Sequence, residues 1–344
     1  MSNRTQVTLQ GPIDLIALVP HLLGYQPGNG DVVVIGVRDD AIVMTACTDF
    51  GNIPLGHEQD AVVAALAGPI GHTRIDVAAI VGYGDPDHVG AAMNSLRDFL
   101  SAHDIQIIDA VRVSGQRYYP HLPAGWEQIL PAAMDGVRFD TTTATVTATM
   151  VLGGSVAQPT RSALVDQFCP ATGTERAEMH AATLRARHRL QHLTAVATDP
   201  AAAIALAGRT AADLVYSRHN SGDRLTDDEV AWLTVLLTDG AVRGHVWQRT
   251  HGHNGHVTLW TDLTRRADPD LVAAPASLLA FAAWLTGDGV VAGIALQRAL
   301  DADPTHVMAN LLRAALDAGI PPTAIRQHFQ FAEDPLNPNA FHAG

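Results

Sequence analysis

The chain of 344 residues contains no lysine, so all 22 of its basic side chains are arginines. Schiff-base enzymes, P-loop ATPases and protein kinases each need a lysine ammonium group in their mechanism. The sequence therefore excludes these three classes. Glutamate is also scarce, with 6 residues against 29 aspartates. Because the charged fraction is only 17%, we interpret both biases as the mark of a GC-rich genome and not of an acidic coat adapted to salt.

Cysteines and long apolar runs are few as well. Cys47 and Cys169 are too few for a disulfide framework and lack the spacing of a metal site. The longest apolar run, 271–285, is shorter than a bilayer span and contains Pro275. Asp14 interrupts the apolar stretch that a signal peptide would need. We therefore expect a cytoplasmic protein without membrane spans.

The charge of the chain is strongly negative, at -13. The first 150 residues hold 7 arginines against 16 acids, and the remainder holds 15 arginines against 19 acids. General nucleic-acid binders show the opposite balance, because cationic side chains that neutralise phosphates supply their affinity. The sequence therefore argues against general nucleic-acid binding.

The length suggests two domains, and residues 1–155 have the pattern of an α/β domain with a mixed sheet. Apolar and β-branched runs alternate with helical segments in the order ββαβαβ. The run 75–83 is continuously apolar, as is typical of a buried parallel strand. This order indicates at least two parallel strands with helices packed on the sheet. The predicted elements are a helix at 11–25, a hairpin of strands 31–37 and 41–48, helices at 58–66 and 88–102, strands at 75–83 and 104–113, and a last strand near 145.

Residues 156–330 are predicted to be mainly helical, because apolar residues recur there at helical spacing. Thr226 and Glu229 form a capping box, and the Gly287-Asp288 pair fits a helix end followed by a new N-cap. Residues 331–344 show no periodic pattern, and we expect them to be disordered. The predicted helices are 175–197, 199–217, 226–239, 276–286, 289–302 and 305–318.

Two stretches carry a resemblance to a known family. They are DLIALVPHLLGYQPGNGDVVVIGV near the start and LWTDLTRRADPDLVAAPASLLAFAAWLTGDGVVAGIALQRALDADPTHVMANLLRAALDAGIPP near the end. Together with Gly154, Arg161 and Leu164 between them, they resemble the actinobacterial domain of unknown function 4192 over roughly residues 10–322. The resemblance implies an actinobacterial origin and no particular activity. The helices around Ala292 to Pro304 are also weakly similar to a tetratricopeptide unit, although an ordinary helical bundle explains them as well.

The first candidate site follows the strand at 75–83. Asp85, Asp87 and His88 offer oxygen and imidazole groups for a divalent metal or for acid–base chemistry, and ligand crevices of open α/β sheets form at such strand ends. The same Asp-Pro-Asp sequence is equally typical of a turn in which one aspartate caps the next helix.

The second candidate site is Arg117-Tyr118-Tyr119-Pro120-His121, which follows the last parallel strand. An arginine beside two phenols can hold a carboxylate or phosphate, and His121 could move a proton. In the alternative, the tyrosines only cover the end of the sheet. The functional interpretation requires that this segment meet residues 82–88 in space.

The third candidate is the histidine cluster His251, His253 and His256, which could hold zinc or nickel. The cluster contains no carboxylate or thiolate, and its glycines and asparagine also suit a hairpin between a helix and a strand. A second basic segment contains Arg185, Arg187 and others. It could bind an acidic partner or an anion, but we interpret it as pairing with the acidic first part of the chain.

The sequence contains no HExxH, GxGxxG or CxxC motif and no serine nucleophile elbow. We therefore expect a non-enzymatic protein that binds a ligand, or a protein partner through its helical region. No cofactor is required by the sequence, although a divalent metal would fit the first or third candidate. The alternative is an enzyme that acts on an anionic or phosphorylated small molecule.

Overall fold

A computed structural model describes residues 8–49, 58–121, 135–142 and 144–322. The chain forms two compact units, and the second is Val165–Leu316. The first unit contains the residues before Val165 and also those from Asp317 onward. The division into domains at 1–155 and 156–330 stays a prediction, and the tail 331–344 lies outside the described residues.

The first unit contains the predicted mixed sheet, with the strands in the order β2-β1-β3-β4-β5-β6. Among these strands, only the β3–β4 pair is parallel. The β1–β2 hairpin turns at Asp39 and Asp40, which have φ values of 50° and 57°, as the favoured two-residue hairpin turns require. The strands are β1 (Asp31–Arg38), β2 (Ala41–Asp49), β3 (Val77–Tyr83), β4 (Gln106–Ser114), β5 (Arg117–Pro120) and β6 (Val137–Arg138).

One face of this sheet packs against α2 (Glu58–His72) and α3 (Pro86–Ala102). Val32, Val34 and Ile80 point toward these helices and are fully buried. Because strand side chains alternate between faces, the neighbouring residues of β1 and β3 point to the opposite face.

The last predicted strand, near residue 145, was wrong: Thr145–Leu152 form a helix, α4. Its threonines and valines favour a strand, but Val146 packs against Ala17 and Leu18. Tertiary packing against α1 (Pro12–Leu23) thus overrides local propensity. The short helix α5 (Arg161–Asp166) follows.

The second unit is helical throughout its regular structure, as predicted. The capping box of Thr226 and Glu229 is present, Gly287 ends a helix at φ 88°, and Asp288 caps the next by accepting a hydrogen bond from Val291 N at 2.9 Å. No helix within the described ranges is both long and apolar enough to cross a bilayer. The helices are α6 (Gly173–Val196), α7 (Pro200–Asn220), α8 (Asp227–Leu236), α9 (Gly240–Arg249), α10 (Asn254–Arg266), α11 (Ala273–Thr286), α12 (Gly289–Ala302) and α13 (Val307–Asp317).

Arg185 and Arg187 of the basic segment of α6 pair with carboxylates of their own unit, which corrects the interpretation that they pair with the acidic first part of the chain. Arg185 binds Asp228 at 2.6 Å, and Arg187 binds Asp270. Both aspartates lie in the second unit.

We expect Gly208→Ala to destabilise the protein by about 1–3 kcal/mol, because a Cβ at Gly208 would lie 2.7 Å from Cγ1 of Val242 and closer still to its Cγ2. Valine is stiff at χ1 and cannot swing aside. The matched control is Gly244→Ala on α9, where a Cβ meets nothing within 4 Å. At that position the better helix propensity of alanine should raise the free energy of unfolding by about 0.5–1 kcal/mol. Urea unfolding of both variants measures the difference, and equal effects would contradict the close packing of α7 on α9.

Candidate functional site

The carboxyl ends of β3 and β4 lie side by side, because the two strands are parallel. Gly84 N donates a hydrogen bond to Val113 O at 2.8 Å. Asp85 is the N-cap residue of α3 but makes no side-chain cap hydrogen bond, and both Asp85 and Asp87 are exposed. The side chain of His88 lies outside the described residues. The first predicted cluster therefore stands at the expected sheet edge.

The segments 82–88 and 117–121 meet across Arg112. The Arg112 guanidinium donates to Gly84 O at 2.9 Å and lies 4.1 Å from the centre of the Tyr119 ring. Ser114 Oγ donates to the Asp85 carboxylate at 3.5 Å. Sequence reasoning had not singled out Arg112, which links the two segments.

Arg117 and Tyr118 make contacts that support the sheet edge. Arg117 Nη1 donates to the carbonyl oxygens of Asp135 and Gly136, at 2.8 and 2.7 Å. The Tyr118 ring lies 6.2 Å from the ring of Phe139. Arg117 was predicted to hold an anion, but its Nη1 binds the backbone carbonyl groups that lead into β6.

His121 lies away from the Asp85 end, because β5 runs antiparallel to β4. His121 N donates to Ala110 O at 2.8 Å, and its Nε2 lies 2.9 Å from Asn94 Oδ1 on α3. Arg97 of α3 also donates to the His121 carbonyl. The structure thus brings Asp85 and Tyr119 to one edge and places His121 at the far end of β5.

A second polar group, which the sequence reasoning missed, occupies the opposite face at the same edge. We call Tyr25, Asp31, Cys47 and Tyr83 the Tyr83 cluster. The strand register pairs Val32 with Gly82 and Val33 with Cys47. Because β1 is antiparallel to β3, the beginning of β1 and the end of β2 lie beside the carboxyl end of β3.

Tyr25 and Asp31 of the Tyr83 cluster are buried, and Cys47 and Tyr83 are half-buried. The Tyr25 hydroxyl donates to Cys47 Sγ at 3.5 Å, and the Asp31 carboxylate accepts a hydrogen bond from Gly28 N at 2.7 Å. Tyr25 and Asp31 are 3% and 6% exposed. The Tyr83 hydroxyl is buried and has no hydrogen-bond partner among the described residues, whereas part of the Tyr83 residue remains exposed.

Both phenols of the cluster are held in the protonated form. Burial raises the pKa of Tyr25 and of Tyr83 well above the ordinary value, and the nearby Cys47 and Asp31 raise both further. A phenol with a raised pKa donates a hydrogen bond but does not act as a base near neutral pH. The cluster is therefore suited to hydrogen bonding and not to proton abstraction.

The histidine cluster lies between two helices, α9 and α10, and not between a helix and a strand as predicted. His253 caps α10 by accepting a hydrogen bond from His256 N at 3.3 Å. His256 Nδ1 accepts from His251 N at 2.8 Å. Within the described ranges, no group of three or more His, Cys, Asp or Glu side chains is arranged to hold a metal ion. A metal on His251, His253 and His256 stays a prediction.

A family model described as "Domain of unknown function (DUF4192)" matches residues 12–323. No curated protein and no protein of solved structure matches the chain. The family match includes both the Tyr83 cluster and the helical second unit.

We expect the stability of the protein to fall as the pH falls from about 6.5 to about 4, because burial and the neighbouring His253, His251 and His219 lower the pKa of His256 to about 4. In this window the unfolded chain binds a proton that the folded chain does not. His256→Gln keeps an acceptor for His251 N and should flatten the decrease. The exposed His192 on α6 provides the control, as His192→Gln. Unfolding free energies measured across the window test this, and an unchanged slope in His256→Gln would contradict it.

Proposed function

Because the chain belongs to the DUF4192 family, whose description names no activity, we propose its function from its own residues. We infer a non-enzymatic protein that binds a small neutral or cationic ligand at the Tyr83 cluster. The carboxyl edge of the sheet is where open α/β folds form ligand crevices. The partly exposed Tyr83 residue gives the cluster a surface toward which a ligand can approach.

The observation that carries this proposal is the buried Tyr83 hydroxyl without a partner among the described residues. A buried donor left unsatisfied costs roughly 1–3 kcal/mol, and most buried polar groups in proteins are paired. Tyr216 shows the usual arrangement, since its hydroxyl lies 3.3 Å from Thr250 Oγ1 and 3.5 Å from Val246 O. Tyr83 is one of several residues with a buried polar atom that lacks a partner among the described residues, and its place at the carboxyl edge of the sheet is what supports a ligand contact.

The charges around Tyr83 favour a particular class of ligand. Asp31 is buried and lies close enough to raise the pKa of Tyr83. An anion here would be repelled by the Asp31 carboxylate, whereas a hydroxyl or amino group can donate to it. A neutral polyol, a sugar or a small amine therefore fits the cluster better than a phosphate.

The engagement of the other candidate residues supports binding in preference to catalysis. Arg117 is held on two backbone carbonyls, and His121 contacts Asn94. The two cluster phenols stay protonated at neutral pH because their pKa values are raised, so neither is available to take a proton from a substrate.

A protein partner for the helical region remains part of the proposal. The second unit exposes several large apolar side chains, which suit a contact with another protein. The cytoplasmic location, the actinobacterial origin and the tetratricopeptide-like packing of the last helices are likewise inferences, and the lysine-free composition supports the origin. The exposed apolar side chains are Leu184, Val196, Leu206, Leu214, Val307 and Leu311.

The alternative function is an enzyme on an anionic or phosphorylated small molecule, with Asp85, Asp87, His88, Arg117 and Tyr118 around one crevice. The contact of Ser114 with Asp85 favours it, because it joins the ends of the two parallel strands. Loss of a detected turnover in Asp85→Ala, with stability unchanged, would select the enzyme.

We expect Tyr83→Phe to abolish ligand binding without unfolding the protein, because it removes one hydroxyl and no packing. The measurement is a thermal-shift series with polyols, sugars and amines on the wild type and the variant. Tyr118→Phe is the matched control, since the Tyr118 ring lies by Phe139 and outside the Tyr83 cluster, so this variant should leave binding intact. A ligand that stabilises the wild type and Tyr83→Phe equally would contradict the proposal.

A further inference from the structure

Three arginines from three helices converge near the last turn of α10. Arg298 of α12 donates to Thr264 O at 3.0 Å, and Arg176 of α6 donates to Ala267 O at 3.0 Å. Arg265 of α10 itself donates through Nε to Cys169 O at 3.4 Å. We call Arg176, Arg265 and Arg298 the arginine cluster. All of these residues lie in the second unit.

Arg298 has no carboxylate to balance its charge within the described residues. Its Nη1 is buried and has no hydrogen-bond partner there. Burial lowers the pKa of Arg298. The nearby charges of Arg265 and Arg176 lower that pKa further, while the Cys169 thiol raises it. Positive charge is therefore concentrated around a partly buried guanidinium.

Arg266, at the same end of α10, provides a comparison with Arg298, because it is an arginine with a structural role. Arg266 is 2% exposed and pairs with both Asp227 and Asp262, so its charge is balanced although its buried Nε, like Nη1 of Arg298, has no partner among the described residues. Buried charges are normally paired in this way, because an unpaired one is costly. The carbonyl groups at the end of α10 carry only partial negative charge, so they do not replace a carboxylate for Arg298.

Two acidic residues lie near the arginine cluster. Asp268 is 4% exposed at its side chain and contacts Arg176 at 3.2 Å and His180 at 3.0 Å. Asp166 lies by Cys169, whose Sγ is 3.9 Å from its carboxylate. Arg265 and Cys169 are both exposed, so the open side of the cluster faces solvent. The Nη groups of Arg265 make no hydrogen bond within the part of the chain that the structure describes.

We propose that Arg176, Arg265 and Arg298 form a binding site for a small oxyanion, a phosphate or a carboxylate group. Guanidinium groups bind both by paired N–H donors, and such charge-assisted bonds are strong. The anion would approach from the exposed Arg265 and balance the charge that Arg298 leaves uncompensated. This site lies in the helical unit and is independent of the ligand proposed for the Tyr83 cluster.

The test is calorimetric titration of the full chain with sodium phosphate, with sodium acetate, and with sodium chloride at matched ionic strength. We expect phosphate or acetate to bind where chloride does not, and the stronger of the two identifies the group recognised. Arg265→Gln changes an exposed side chain and should weaken binding by about tenfold or more. Arg298→Gln should do the same, and Arg209→Gln, an exposed arginine on α7, should leave binding unchanged.

Alkylation of Cys169 provides a second measurement that does not require any variant to fold. Bound oxyanion should slow the reaction of Cys169 with iodoacetamide, whereas Cys47 should react at an unchanged rate. Mass spectrometry of the two cysteine-containing peptides measures both rates. The proposal is overturned if phosphate and acetate give no more binding and protection than chloride. It is also overturned if Arg265→Gln and Arg298→Gln both bind as the wild type does, or if Arg209→Gln alone abolishes binding.

Discussion

The position of β3 between an antiparallel and a parallel neighbour determines what meets at the functional edge of the sheet. Its parallel pairing with β4 places the carboxyl ends of both strands together. Its antiparallel pairing with β1 adds the beginning of β1, and through the hairpin the end of β2. Segments far apart in sequence therefore share one edge, and any change in this register would separate them.

Strand alternation then sorts the residues of that edge onto two faces. Gly82 faces α3, where a Cβ would lie 2.5 Å from Met93 Sδ, so Tyr83 faces the other way, toward Tyr25 and Cys47. The face toward α3 carries Arg112, whose donors hold Gly84 and whose guanidinium covers Tyr119. One face thus carries the Arg112 contacts that join Gly84 and Tyr119, and the other retains a buried hydroxyl without a partner among the described residues.

The sequence predicted the elements much better than their convergence. The β1–β2 hairpin, the buried strand β3 and the capping box at Thr226 follow from local patterns, and all three are confirmed. The prediction at 145 was wrong because packing of Val146 on α1 outweighed its β-branched composition. Tyr83 lies within the predicted segment 82–88, but its grouping with Tyr25, Asp31 and Cys47 was missed because nothing local indicates that β1 pairs with β3. The long family motif around Tyr25 and Asp31 was the one signal that could have directed attention there.

The central claim is that the Tyr83 hydroxyl binds a ligand and does not stabilise the folded protein. The direct test compares the free energies of unfolding of Tyr83→Phe and Tyr216→Phe. Both are measured by urea denaturation without added ligand. Removing an unsatisfied buried hydroxyl should leave the free energy of unfolding unchanged or raise it by up to about 3 kcal/mol, whereas removing the bonded hydroxyl of Tyr216 should lower it by about 1 kcal/mol. If Tyr83→Phe lowers stability as much as Tyr216→Phe does, the hydroxyl is structural and the account is contradicted.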